Sequence, residues 1–152
     1  MEHRNSYYQR DAVSASLLKS VIKKSPAHAE EYMKPSEGTP ATRLGTAFHA
    51  SILEPEKWDE QIAVSPVCDK RTKVGKEAYA NFLETSGGKT IITPDQDALI
   101  EGMLKSSSSH PIVQHLLEKC YAVEFQTFFE VDGVDCKAMI DMCGDDKTIV
   151  DI

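Results

Sequence analysis

Apolar residues recur at two different spacings along this chain, and the change from one to the other falls near residue 120. Before it the spacing is three to four, the period of a helix. Leu17, Leu18, Val21 and Ile22 follow Ser14, whose hydroxyl can accept a first-turn backbone N–H, so a capped amphipathic helix is predicted there. Ser25-Pro26 supplies the cap and first-turn proline of a second helix reaching Met33. The breakers in Pro35-Ser36-Glu37-Gly38-Thr39-Pro40 predict a loop. Leu44, Ala47, Phe48, Ser51 and Ile52 then trace one face of a third helix, which Glu54-Pro55 ends.

From Trp58 to Cys68 the pattern is too irregular to predict an element. Asp69-Lys70-Arg71-Thr72-Lys73-Val74-Gly75-Lys76 leads into a helix marked by Ala78, Tyr79, Phe82 and Leu83, and Gly87-Gly88 stops it. Thr93-Pro94-Asp95-Gln96 has the form of a capping box with proline in the first turn, and it opens a helix running into the serines at 106–109. Pro111 starts a short helix through Lys119.

From Tyr121 the period becomes two, the mark of strands. Tyr121, Val123, Phe125, Thr127, Phe129 and Val131 fall on one face, with Glu124, Gln126 and Glu130 on the other. Asp132-Gly133 predicts a tight hairpin turn. Val134, Cys136, Ala138, Ile140 and Met142 then make an apolar face opposite Asp135, Lys137, Met139 and Asp141. A further turn at Gly144-Asp145-Asp146-Lys147 leads into a third strand from Thr148 to Ile152. The expected fold class is α/β, with helices first (1–119) and an antiparallel β-meander after them (120–152), forming a single domain.

Composition narrows the function. A chain of 152 residues with 41% hydrophobic content has material for a real core, and its net charge of -7 argues against coating nucleic acid by bulk electrostatics. Any DNA contact must be local, and the cations Lys70, Arg71, Lys73 and Lys76 form the densest basic stretch. No apolar run suits a signal peptide or a membrane span, so a cytoplasmic protein without membrane association is expected. Cys68, Cys120, Cys136 and Cys143 are widely and irregularly spaced, which favours reduced thiols over a zinc site. Trp58 and His110 are expected to pack or cap.

The chemistry concentrates at the strand ends. Asp141 closes the second strand and Asp151 lies near the end of the third, so paired strands could let both carboxylates hold one hard cation. Side chains two apart share a face, so a lysine directly after Ile152 would set its ammonium beside Asp151, with the Ile152 carbonyl between them as a further ligand. Such a cation polarises a phosphate and activates water, while the lysine offsets developing charge. In the third helix Gly45 and His49 stand one turn apart, and the missing side chain at 45 leaves room for close approach beside the imidazole.

Nine stretches occur in one order: Ser14-Ala15-Ser16-Leu17-Leu18-Lys19, Ser25-Pro26-Ala27-His28, Thr39-Pro40-Ala41, Leu44-Gly45-Thr46-Ala47-Phe48-His49, Leu53-Glu54-Pro55, Arg71-Thr72-Lys73-Val74-Gly75-Lys76, His110-Pro111, Cys136-Lys137-Ala138-Met139-Ile140-Asp141 and Val150-Asp151-Ile152. In these the chain resembles the nuclease domain of the exodeoxyribonuclease VIII (RecE) family and its phage relatives, in the RecB-like branch of the PD-(D/E)xK superfamily. The resemblance implies a restriction-endonuclease-like core, truncated at its C-terminal end, with His49, Asp141 and Asp151 as catalytic metal ligands and Ile152 beside them. Glu124 and Gly45 take supporting places, and Lys70, Arg71, Lys73 and Lys76 contact DNA phosphates. The implied activity is Mg²⁺-dependent digestion (Mn²⁺ also serving) of the 5′ strand from double-stranded DNA ends, for recombination. A RecT-like annealing partner and a ring-shaped homo-oligomer go with it. The family's lysine would come directly after Ile152, so the 152-residue chain is expected to be inactive or impaired. The alternative is a non-catalytic nuclease fold that binds DNA or regulates.

Overall fold

The computed structural model describes residues 7–34, 38–145 and 147–152, leaving aside the side chain of Tyr32. Pro35, Ser36 and Glu37 of the expected loop and Asp146 of the expected turn lie outside the described residues. In chain order the elements are β1 (Val13–Ser14), α1 (Ala15–Lys23), α2 (Pro26–Tyr32), α3 (Pro40–Leu53), a 3₁₀ turn (Pro55–Lys57) and α4 (Trp58–Gln61). There follow β2 (Ile62–Val64), α5 (Lys73–Thr85), β3 (Thr90–Ile92), α6 (Pro94–Ser109), α7 (Pro111–Lys119), β4 (Cys120–Val131), β5 (Val134–Gly144) and β6 (Ile149–Val150). The protein is mixed α/β. Among the described residues no helix is long and apolar enough to cross a membrane.

Two compact units emerge, one formed by Met1–Glu37 with Cys120–Ile152 and the other by Gly38–Lys119. The sequence boundary at 119/120 is one of the two junctions. The other, at 37/38, groups the first two helices with the strands.

In the first unit β5 is the central strand. β4 runs antiparallel along one side of it, while the other edge carries β1, parallel, near its start and β6, antiparallel, near its end. The sheet is therefore mixed, and the expected antiparallel meander is joined by a parallel strand that two residues of alternating pattern could not announce. The Asp132-Gly133 turn has φ of 50° and 79°, the left-handed pair that a two-residue hairpin needs to match strand twist. Its pairing brings Val131 opposite Val134, Phe129 opposite Cys136, Thr127 opposite Ala138, Phe125 opposite Ile140 and Val123 opposite Met142. These are the two apolar faces read from the sequence. Their register slips only between Cys120 and Ala122, and Tyr121 at the slip is exposed, as are Phe125, Phe129 and Val131 of the same face. α1 is capped by Ser14, which accepts the Leu17 N–H at 3.3 Å, and α2 by Ser25, which accepts that of His28. The stripe of α1 remains mostly uncovered, with Leu18, Val21 and Ile22 exposed.

The second unit is organised around small residues. Thr39 caps α3 with Pro40 in its first turn, so this helix begins inside the segment expected to be loop. Its inward edge is Ala47, Ala50 and Leu53, with Leu44 and Phe48 flanking, a rotation away from the expected Ser51 and Ile52. Ala47 and Ala50 meet Ile62, Ile92 and Ile100, and Trp58 packs against the same cluster, as a packing role requires. β2 and β3 pair in parallel, with Ile62 beside Thr90 and Val64 beside Ile92. Neither strand is legible in a pattern of three residues. The capping box at Thr93 forms as expected, and Gln96 extends it by donating to the Pro40 carbonyl at 3.0 Å, which ties α6 to the start of α3. His110 ends α6, and its carbonyl accepts the Gln114 N–H of the next helix.

Two glycines differ in what they do. A Cβ on Gly75 would lie 2.0 Å from the Asp69 carbonyl oxygen, because the 69–72 turn folds against the first turn of α5. A Cβ on Gly45 would meet nothing within 4 Å. Gly75→Ala should therefore cost at least about 2 kcal/mol through forced displacement of backbone. Gly45→Ala, in an exposed helix interior, should gain about 0.5–1 kcal/mol. Thermal denaturation of both variants checks this, and equal stability of the two would refute the packing account.

Candidate metal centre

Counting back from the Asp132-Gly133 turn, Glu124 stands seven residues before Val131 and Asp141 seven after Val134, so the ladder sets the two acids opposite each other. The pairs on either side, Val123 with Met142 and Phe125 with Ile140, keep that register. Both acids lie on the face that also carries Gln126, Phe128, Lys137 and Met139. Each offers a carboxylate oxygen, and these lie within 4.8 Å of one another. Two oxygens on one magnesium-sized ion are at most about 4.2 Å apart, twice a ligand distance of about 2.1 Å, so a small rotamer adjustment closes the pair on a cation.

The local backbone is specialised at this point. Glu124 has φ of 49°, inside the left-handed region, in the middle of a 12-residue strand. For a residue with a Cβ this conformation costs about 1–2 kcal/mol. It persists because the strand is paired on both sides of it, and such conformations concentrate where a side chain has to be aimed. Asp141 is buried, and its Oδ2 accepts the backbone N–H of Ile152 at 2.7 Å. That bond continues the pairing of β5 with β6, where Met142 faces Val150, and it fixes the carboxylate plane from the opposite edge of β5.

The other sequence candidates are placed as follows. Asp151 is exposed just past β6 and does not join the carboxylates drawn together. Ile152 meets Asp141 through its N–H. His49 is half-buried on α3, four residues after the exposed Gly45, and belongs to the second unit. Glu124, given only a supporting place in the sequence reading, is the acid that the ladder brings to Asp141. The turn length would have found it, since a two-residue hairpin fixes every cross-strand partner.

In the basic stretch, the Lys70 ammonium sits 3.3 Å above the centroid of the Tyr79 ring, and Lys73 reaches Glu77 at 4.0 Å on the surface. Arg71 donates its backbone N–H to Asp69 Oδ1, and Thr72 caps α5 through the Gly75 N–H. All four cationic side chains are exposed. Glu54 of the Leu53-Glu54-Pro55 stretch is buried, with its carboxylate accepting from Lys57 and Gln61, so this stretch is a structural anchor at the end of α3. The four cysteines are free thiols, Cys136 and Cys143 buried and Cys68 and Cys120 half-buried. No protein-family model matches the chain, and no curated protein matches it.

The left-handed conformation at 124 has a measurable signature. Asn tolerates this region and a β-branched residue does not. Glu124→Val should therefore be less stable than Glu124→Asn by about 1–2 kcal/mol in chemical denaturation. Equal stability would mean that position 124 is not held at positive φ.

Proposed function

We propose that this chain carries the metal-binding part of a divalent-cation-dependent DNA nuclease of the PD-(D/E)xK type. The observation that supports the reading is the Glu124 and Asp141 pair, opposed across one strand ladder with oxygens within 4.8 Å. Carboxylates are hard donors and suit Mg²⁺ or Mn²⁺. A bound ion would polarise a phosphodiester and activate the attacking water. Asp141, held by the Ile152 N–H, presents its carboxylate in a fixed plane, and Glu124, on left-handed backbone, brings an oxygen within 4.8 Å of it. His49 and Asp151 enter this reading from the sequence, through their places in the pattern and the family resemblance. The polarity of resection, a RecT-like partner and a ring of subunits enter through the resemblance alone, and a cytoplasmic location through the sequence's lack of long apolar runs. The exposed cations Lys70, Arg71, Lys73 and Lys76 are proposed to contact DNA phosphates. Lys70 would do so from its place on Tyr79.

The decisive experiment is a Mn²⁺ titration followed by calorimetry or electron paramagnetic resonance. Wild-type chain should bind one ion, with Glu124→Gln and Asp141→Asn each weakening it at least about tenfold, the scale of one lost charged ligand. His49→Ala and Asp151→Asn, tested alongside, show whether either belongs to the ligand set. Mn²⁺ binding that survives both Glu124→Gln and Asp141→Asn would overturn the proposal, as would failure of linear duplex DNA to bind in the presence of the ion.

A further inference from the structure

The sheet face that carries the two acids also carries a cationic segment. Phe128 and Lys137 are ladder partners, and alternation places them on the face of Glu124 and Asp141, with Gln126 and Met139 between. Over this part of the face lies the segment that leads into β1. Its anchor is Lys137, whose ammonium donates to the Tyr7 carbonyl at 3.0 Å and to the Arg10 carbonyl at 2.7 Å, and stands 5.1 Å from the Tyr7 ring. Tyr7 is buried, with its ring 6.1 Å from that of Phe128. Val13 and Ser14 then pair in parallel with Cys136 and Lys137. The segment is therefore fastened at both ends, and between the fastenings Arg10 holds its guanidinium 4.3 Å above the Phe128 ring while remaining exposed.

The two cations on this face have different work. Lys137 spends its donors on backbone carbonyls. Arg10 is placed over the Phe128 ring by cation–π attraction, and a guanidinium held this way has N–H groups that reach beyond the ring. These N–H groups are exposed, and a guanidinium fork matches the oxygens of a phosphate. From the Phe128 and Lys137 pair to the Glu124 and Asp141 pair is four residues along the strand, about 13 Å at about 3.3 Å each. That separation is a few phosphates of a nucleic-acid strand.

We propose that Arg10 is a positioning residue that grips a backbone phosphate of a DNA strand whose scissile phosphate lies at the carboxylate pair. The segment from Tyr7 to Ser14 is thereby a fixed arm of the substrate site, and Lys137 is the residue that fastens it. This inference rests on the nuclease reading given above. It adds a contact that the basic stretch of α5 does not supply.

The test is binding of linear duplex DNA in Ca²⁺ across a range of salt concentrations, with Mn²⁺ affinity measured in parallel on the same proteins. Arg10→Gln should lower the slope of log K against log salt by about 0.9, the value for one duplex phosphate contact. Arg10→Lys should restore most of the slope, and Mn²⁺ affinity should be unchanged in both. Lys137→Met should speed proteolysis between Tyr7 and Ser14 and reproduce the slope change, while Asp141→Asn should weaken Mn²⁺ binding and keep the slope. A slope unaltered by Arg10→Gln in a protein that still binds the ion would overturn the role of Arg10 and leave the nuclease reading standing. A slope change without any ion binding would do the reverse, and absence of salt-dependent binding by the wild-type chain would remove both.

Discussion

The two-residue turn at Asp132 and Gly133 governs the strand-based unit. Both residues adopt positive φ, so the hairpin closes without a spare residue and the register of β4 on β5 is fixed. Because side chains alternate, a slip of one residue would exchange the faces of one strand against the other. The acids would then no longer be opposed, and Phe128 would no longer meet Lys137. Metal-binding potential, the anchorage of the N-terminal arm and the apolar face thus share one determinant at the hairpin tip. The left-handed backbone at Glu124 works within that register, turning one side chain without shifting the pairs on either side.

The helix-rich unit follows a different logic. Its centre is built from Ala47 and Ala50 on α3, which let the helix lie close to Ile62, Ile92 and Ile100. Close approach recurs at the start of α5, where only glycine at position 75 allows the Asp69 carbonyl to sit over the helix. Short polar links hold this compact arrangement: Gln96 to the start of α3, Lys89 to the Asp59 carbonyl at 2.7 Å, and Glu54 with Lys57 and Gln61.

What could be read from the sequence is what local chemistry decides. Ser14, Ser25 and Thr93 cap the helices that their hydroxyls announce, and the hairpin turn and both faces of β4 and β5 follow from period and turn residues. The short strands β1, β2 and β3 were not legible. Two or three residues contain no measurable period, and their pairing is set by partners far along the chain. The same limit applies to the site. Asp141 stood out because it ends an alternating run, whereas Glu124 needed a count across the turn and a backbone angle that no pattern encodes. Lys137 looked like an ordinary polar-face residue, since its carbonyl partners lie 127 and 130 positions away.

Among the described residues β4 pairs with β5 alone, and its outer edge carries little to discourage another strand. From Phe125 to Val131 it offers three phenylalanines and one charge, Glu130, without a proline, a lysine or a glycine. Natural sheets usually blunt such an edge with charge or a bulge, and here the bulge lies at the far end, near Cys120. During synthesis or on partial unfolding this segment has the make-up of a fibril-forming stretch: strongly β-prone, almost uncharged and long enough for a dry zipper. The regularity that brings the acids together therefore also sets the protein's colloidal vulnerability, and the concentration at which it can be handled depends on keeping that edge folded.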